Sequence, residues 1–347
     1  MLWLAGLMGL MAVGTVSFME PASESDATDR VDASTPPEDS DATEVEIPED
    51  NLDPEYDPRG GDDSALLPPL TTTEVEQISG TDDADMLTGT DGHDEIRGLD
   101  GADSLEGGEG DDRLVGDEGD DTLTGNAGDD TLHGLDGADL LFGDDGDDVF
   151  FGHNADDRLF GEAGDDALQG SAGEDWLEGG EGDDTLQGGL DNDTLIGGNG
   201  ADVLFGGWGN DVLSGVSPEQ GGSDADDGDF LNGGGGDDTI FAGSSDIVTA
   251  GEGADQIVLG DWITPGNTAE IVDFTATDDN IVLIWDDSDL DTEEPFVTLA
   301  TDPESPEQTL ILMDGTVIAS VNGTDIQADD IALVPLSTAT FVGMAAS

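Results

Sequence analysis

The chain has 347 residues, 86 of them Asp or Glu against 5 Lys or Arg, for a formal charge of -81, and it has no Cys. So acidic a surface excludes nucleic acid and anionic lipid as electrostatic partners, although it is also what adaptation to a salty medium would produce. The missing Cys leaves no disulfide to argue for or against export.

Residues 1–19 (MLWLAGLMGLMAVGTVSFM) are an uncharged apolar run. As a helix it would be about 28 Å long, enough to span a bilayer, so it reads first as a membrane anchor. A cleaved secretory signal, despite its missing basic start and A-x-A site, or a start placed too early are the other readings. Residues 20–76 hold Pro21, Pro36, Pro37, Pro48, Pro54, Pro58, Pro68 and Pro69 among acidic and hydroxyl side chains with no helical or strand period. That composition predicts a solvated, disordered linker that would hold the rest away from a membrane surface.

From Gly80 to Phe241 one nine-residue phrase is written eighteen times in phase, with clear copies at 179–187 (GGEGDDTLQ) and 197–205 (GGNGADVLF). The unit is G-G-x-G-x-D-x-L-x. Its first column is Gly in all but one copy, its fourth mostly Gly, and its eighth Leu, Ile or Phe in seventeen copies. The sixth is Asp85, Asp94, Asp103, Asp112, Asp121, Asp130, Asp139, Asp148, Asp157, Asp166, Asp175, Asp184, Asp193, Asp202, Asp211, Asp229 and Asp238, and one further copy adds Asp255. The copy Gly215–Ser223 keeps only its length and merges with an irregular loop. Repeated Gly supplies the backbone freedom of a tight turn, so each unit reads as a six-residue turn and a three-residue strand whose middle side chain points inward. One unit cannot bury its single Leu, but stacked units can. The array is therefore an all-β solenoid, a parallel β-roll over residues 77–258 with two units per coil and a sheet on each flank.

Stacking would place each sixth-position Asp above its counterpart eighteen residues away, at a sheet spacing of about 4.8 Å. Each such pair repels by about 1 kcal/mol in water and by more near protein, so a cation must lie between coils. With carboxylate and carbonyl oxygens on offer, no Cys, and His93, His133 and His153 far apart in sequence with no suitable pair, a hard-oxygen cage suits Ca²⁺. One apolar side chain per nine residues is a thin core, so folding and metal binding are expected to be one event. Nine coils allow about sixteen ions at most.

In these columns the chain resembles the hemolysin-type calcium-binding repeats of RTX proteins. That resemblance implies a β-roll whose turns bind calcium through the sixth-position Asp and nearby turn carbonyls, in an exported protein using type I export machinery. Asp83, Ala155, Asp191 and Asp227 replace the fourth-position Gly and Gln220 the sixth-position Asp, so the pattern leaves open the sites beside those copies.

Beyond a shortened copy (242–249), β-branched residues replace Gly. Residues 270–285 look like the strand-turn-strand that follows many RTX rolls, with Asp273 and Asp278–Asn280 as turn or terminal-ion positions. Asp314-Gly315 between apolar runs predicts a hairpin. With strands at 295–300, 309–321, 329–334 and 340–344, residues 259–347 are expected to form a small antiparallel β cap, with an uncleaved secretion signal as its functional reading. Trp176 and Trp208 should lie outside, against neighbouring turns, and Arg97, Arg113 and Arg158 should pair with local carboxylates.

No H-E-x-x-H or G-x-S-x-G motif occurs, and only the linker precedes the roll, which argues against an RTX protease or lipase. The expected function is calcium binding by an exported, non-enzymatic protein, found outside the cell or at its surface. The alternative is a surface module, structural or adhesive, anchored by residues 1–19.

Overall fold

The computed structural model describes residues 75–216, 228–260, 262–288, 294–323 and 326–339. The apolar run, the linker to residue 74, most of the irregular loop and the strand expected at 340–344 lie outside them.

Two parallel sheets form the roll, and the chain alternates between them, one strand from each nonad. Neighbours in a sheet are eighteen residues apart: Leu159 of strand Arg158–Ala163 faces Leu141 on one side and Leu177 on the other. This is the expected two-unit coil. Eighth-position side chains form its core in single file, from Ile96 through Phe150 to Ile257, nearly all of them 0% exposed.

The division between turn and strand differs from expectation. Strands such as Arg158–Ala163 are six residues long, because pairing resumes after the first-position Gly: Phe160 pairs with Glu178, and beyond Gly161 and Gly179, Glu162 pairs with Gly180. The first-position Gly bends the chain without ending the ladder, and only three residues remain for the turn. Beyond the bend the second position takes a left-handed conformation even where it is not Gly, as at Leu99, Asn126, Leu135 and Ser171, with φ of 83 to 93°. The sequence shows this column only as mixed.

Coil spacing departs from eighteen first beyond strand Val203–Trp208. Val203 pairs with Phe230 and Val212 with Thr239, twenty-seven residues on, and the next steps, Phe230 to Ile247 and Thr239 to Gln256, are seventeen. The register thus carries nine more residues than one coil between these strands, and the shortened copy is one residue short of a full one.

At the C-terminal end the sheets continue. Ala269–Ile271 and Asn280–Trp285 add parallel strands, as do Thr316–Asn322 and Ile331–Pro335. Only Gln308–Met313 runs against the rest, antiparallel to Val297–Thr301 on one side and to Thr316–Asn322 on the other, with Asp314 and Gly315 at φ 51 and 81° in the expected hairpin. The expectation of a separate antiparallel unit is corrected for residues 329–334: this strand completes the last coil, because its apolar face extends the same core. Trp262 donates its indole N–H to the Ala242 carbonyl at 2.9 Å and packs beside Phe241, Val258 and Ile284 on the outside of the final coils.

Candidate metal centre

Each sixth-position Asp closes its turn onto the neighbouring coil. The backbone N–H of Asp85 donates to Oδ1 of Asp103 at 2.7 Å, that of Asp139 to Asp157 at 2.8 Å, and that of Asp175 to Asp193 at 2.9 Å. The ladder continues across the step of twenty-seven residues, from Asp202 to Asp229 at 2.8 Å. From Asp94 to Asp255 these residues are at most 3% exposed, so the expected column of carboxylates is also a buried one.

The second oxygen sets the chemistry. In every nonad from Asp103 to Asp211, and at Asp238 and Asp255, Oδ2 is buried and accepts no hydrogen bond among the described residues. An ionised oxygen in that state costs several kcal/mol unless something cationic meets it. Burial accordingly pushes these carboxyls up, to about 6 at Asp112, about 7 at Asp139 and about 8 at Asp157, Asp184 and Asp193. The inter-coil N–H opposes the shift, and neighbouring carboxylates add to it.

The first-position Gly makes room for that oxygen. A Cβ on Gly98 would lie 2.2 Å from Asp103 Oδ2 and 2.8 Å from the Gly116 carbonyl oxygen of the next coil; on Gly161 it would lie 2.3 Å from Asp166 Oδ2 and 2.5 Å from the Gly179 carbonyl. Carboxylate and carbonyl oxygens of successive coils therefore converge where only Gly leaves space. This all-oxygen donor set fits Ca²⁺, and a bound ion would supply the positive charge that the orphaned Oδ2 atoms lack. The residues that would hold it are the interior sixth-position Asp and the first-position Gly carbonyls.

The ladder ends are self-contained. Oδ2 of Asp85 accepts the Thr81 N–H at 2.7 Å and its hydroxyl at 2.9 Å, and Asp94 does the same with Thr90 at 2.6 and 3.0 Å. At the other end Oδ2 of Asp246 accepts from Gly243 N–H and that of Asp279 from Thr275 N–H, each at 2.6 Å. Asp85 and Asp94 share the column but not the orphaned oxygen. Asp246 belongs to the ladder although the nine-residue frame passes over it; its signal is an Asp two residues before the buried Val248 of the shortened copy. Asp273, expected at a turn or terminal-ion position, accepts from Ala250 and Gly251 N–H at 2.7 and 3.1 Å.

The defective copies keep the geometry. Ala155 and Asp191 hold φ of 76 and 74°, the left-handed region where glycine is favoured, and the ladder passes unchanged through Asp157 and Asp193. Gln220 and Asp227 lie outside the described residues.

Sequence reading missed a second ladder at the exposed fifth position, which runs the other way. Asp147 Oδ1 accepts the N–H of Asp165 at 3.0 Å, Asp165 that of Asp183 at 2.9 Å, and Asp183 that of Ala201 at 2.9 Å. The frequent Asp and Asn in that column were its signal. A correction concerns histidine: His133 and His153, read as having no suitable pair, lie 3.3 Å apart, Nδ1 to Nε2, because one coil plus two residues separates them. Of the arginines, Arg97 pairs with Asp117 and Arg113 with Glu95. Trp208 is 67% exposed and lies over Gly235.

The family model for the RTX calcium-binding nonapeptide repeat (4 copies) matches residues 79–114, 106–141, 115–150, 151–186, 178–213 and 224–257. Its matches break at 214–223, within the segment where the strand register steps by twenty-seven residues. No curated protein matches the chain.

Proposed function

Over residues 79–257 the chain belongs to the RTX calcium-binding nonapeptide repeat family, and from that premise we propose that it is an exported, non-enzymatic protein whose roll folds as it takes up several calcium ions between its coils. The observation that carries this reading is the run of buried Oδ2 atoms from Asp103 to Asp211, and at Asp238 and Asp255, that accept no hydrogen bond among the described residues. A roll without cations holds charge it cannot neutralise except by protonation, whereas the unfolded chain leaves the same carboxylates in water. Calcium at extracellular levels matches the affinity of about 10⁻⁴ to 10⁻³ M typical of extracellular modules. The chain would then stay unfolded where calcium is scarce and fold where it is abundant.

The apolar run at residues 1–19 favours a second destination, the cell surface, with the roll presented on the acidic linker. Release through type I export machinery, with the C-terminal residues as its signal, is the other. Fractionation into membrane and medium separates the two.

The test of the main reading is far-UV circular dichroism of the full chain in calcium, in equal magnesium and in chelator. β-structure that appears with calcium alone is the expected result. A spectrum indifferent to calcium overturns the reading.

A further inference from the structure

We propose that His133 and His153 form a two-imidazole site for a divalent transition-metal ion of the zinc, nickel or copper class, separate from the oxygen sites of the turns. His133 occupies the ninth position of one nonad and His153 the second position of a nonad in the next coil. Both side chains stand half-buried on the outer face of the larger sheet. Register puts His133 opposite Phe151 and Leu135 opposite His153, so the two rings are diagonal neighbours across one pair of strands.

The nitrogens already converge. His133 Nδ1 and His153 Nε2 are 3.3 Å apart, with ring centroids at 5.6 Å and planes within 19°. A metal about 2.05 Å from each nitrogen would see them at an angle of about 107°, close to the tetrahedral value. The Phe151 ring backs both imidazoles, stacked on His133 at 4.8 Å and tilted against His153 at 5.9 Å, and so holds them in place. Two neutral imidazoles suit borderline metals and offer no oxygen to calcium, which leaves the two kinds of site chemically distinct. Among the described residues no third His, Cys or carboxylate completes the set, so water fills the remaining positions. Binding needs the proton shared between the rings to move to the outer nitrogen of its own ring, and no net proton is released. Because the ligands come from successive coils, the site exists only when those coils are stacked.

The experiment uses the full chain in saturating calcium, which occupies the oxygen sites, with substoichiometric Cu²⁺ as the probe and electron paramagnetic resonance as the readout. The expected result is hyperfine structure from two nitrogens for the first equivalent of copper. In His133→Gln and in His153→Asn that equivalent should bind at least tenfold more weakly and show one nitrogen or none. Asn suits the second position because His153 sits at φ 82°. His93→Gln should keep the signal, since His93 lies apart, on the Asp111 carbonyl. Circular dichroism in calcium verifies that each variant folds, and either pair variant alone suffices. No two-nitrogen signal in the wild-type chain, its survival in a folded pair variant, or its loss in His93→Gln overturns the proposal. Calcium-dependent folding is read separately in the same samples, so failure of the calcium reading would not be mistaken for failure here.

Discussion

The backbone N–H of Asp157 donates to Oδ1 of Asp175 at 2.8 Å, and the other oxygen of Asp175 is buried with no donor among the described residues. One carboxylate thus splits its work, tying the coil with one atom and facing the ion site with the other. Asp175→Asn keeps the tying oxygen and removes the ionic one. The calcium midpoint for folding should rise about tenfold, as expected for losing a charged contact of about 1.5 kcal/mol. Asp165→Asn, on the exposed ladder that already contains Asn192 and Asn210, should shift it by no more than about twofold. Calcium titrations followed by circular dichroism compare the two, and equal shifts would contradict the division of roles.

Glycine substitutions should act in opposite directions. A Cβ at Gly179 would sit 2.2 Å from Asp184 Oδ2 and 2.6 Å from the Gly197 carbonyl oxygen, so Gly179→Ala should cost about 1 to 3 kcal/mol in calcium. Ala155→Gly removes a side chain from a residue at φ 76° and should gain up to about 1 kcal/mol. Calorimetric melting midpoints in calcium should fall in the first variant and rise in the second.

Acid should favour the calcium-free roll. The buried carboxyls titrate at about 6 to 8 when folded and near 3.8 when unfolded, so between those values the folded chain binds the more protons. Stability therefore falls as pH rises through the folded values and is regained on acidification. Metal-free protein should gain β-structure from about pH 8 to about pH 5, while calcium affinity weakens over the same range as protons compete for the ligands. Circular dichroism at the two pH values checks the sign: loss of β-structure on acidification without metal would contradict it.

Deleting residues 216–224 should leave the roll intact. Gly215 already stands at the first position for Asp229, where a Cβ would be 2.3 Å from Asp229 Oδ2. Without the nine residues the chain reads GADDGDFLN, and the spacing from Val203 to Phe230 returns from twenty-seven to eighteen. Calcium-dependent circular dichroism should match that of the parent chain, and loss of the transition would mean that the roll needs these nine residues.

The period, the single-file Leu core, the Asp column and the hairpin at Asp314-Gly315 were legible because each is a fixed spacing along the chain. What escaped was whatever departs from that spacing. Asp246 falls in an eight-residue copy, and His133 meets His153 at an offset of twenty. Thr81 and Thr90 look like ordinary variation until their hydroxyls are seen on Asp85 and Asp94. The second-position bend at Leu135 or Ser171 is hidden because backbone neighbours impose it on side chains that would not choose it.

The two ladders run in opposite senses, so where both are present each coil gives a donor and receives one: Asp148 N–H reaches Asp166 while Asp165 N–H reaches back to Asp147. The sixth-position bond repeats from Asp85 to Asp255, so nothing in that ladder counts how many coils there are. Length is written only at the bookends, where Thr81 and Thr90 finish one extremity and Gly243 and Thr275 the other. Whole coils could be gained or lost between them in descent without any new joint having to be invented.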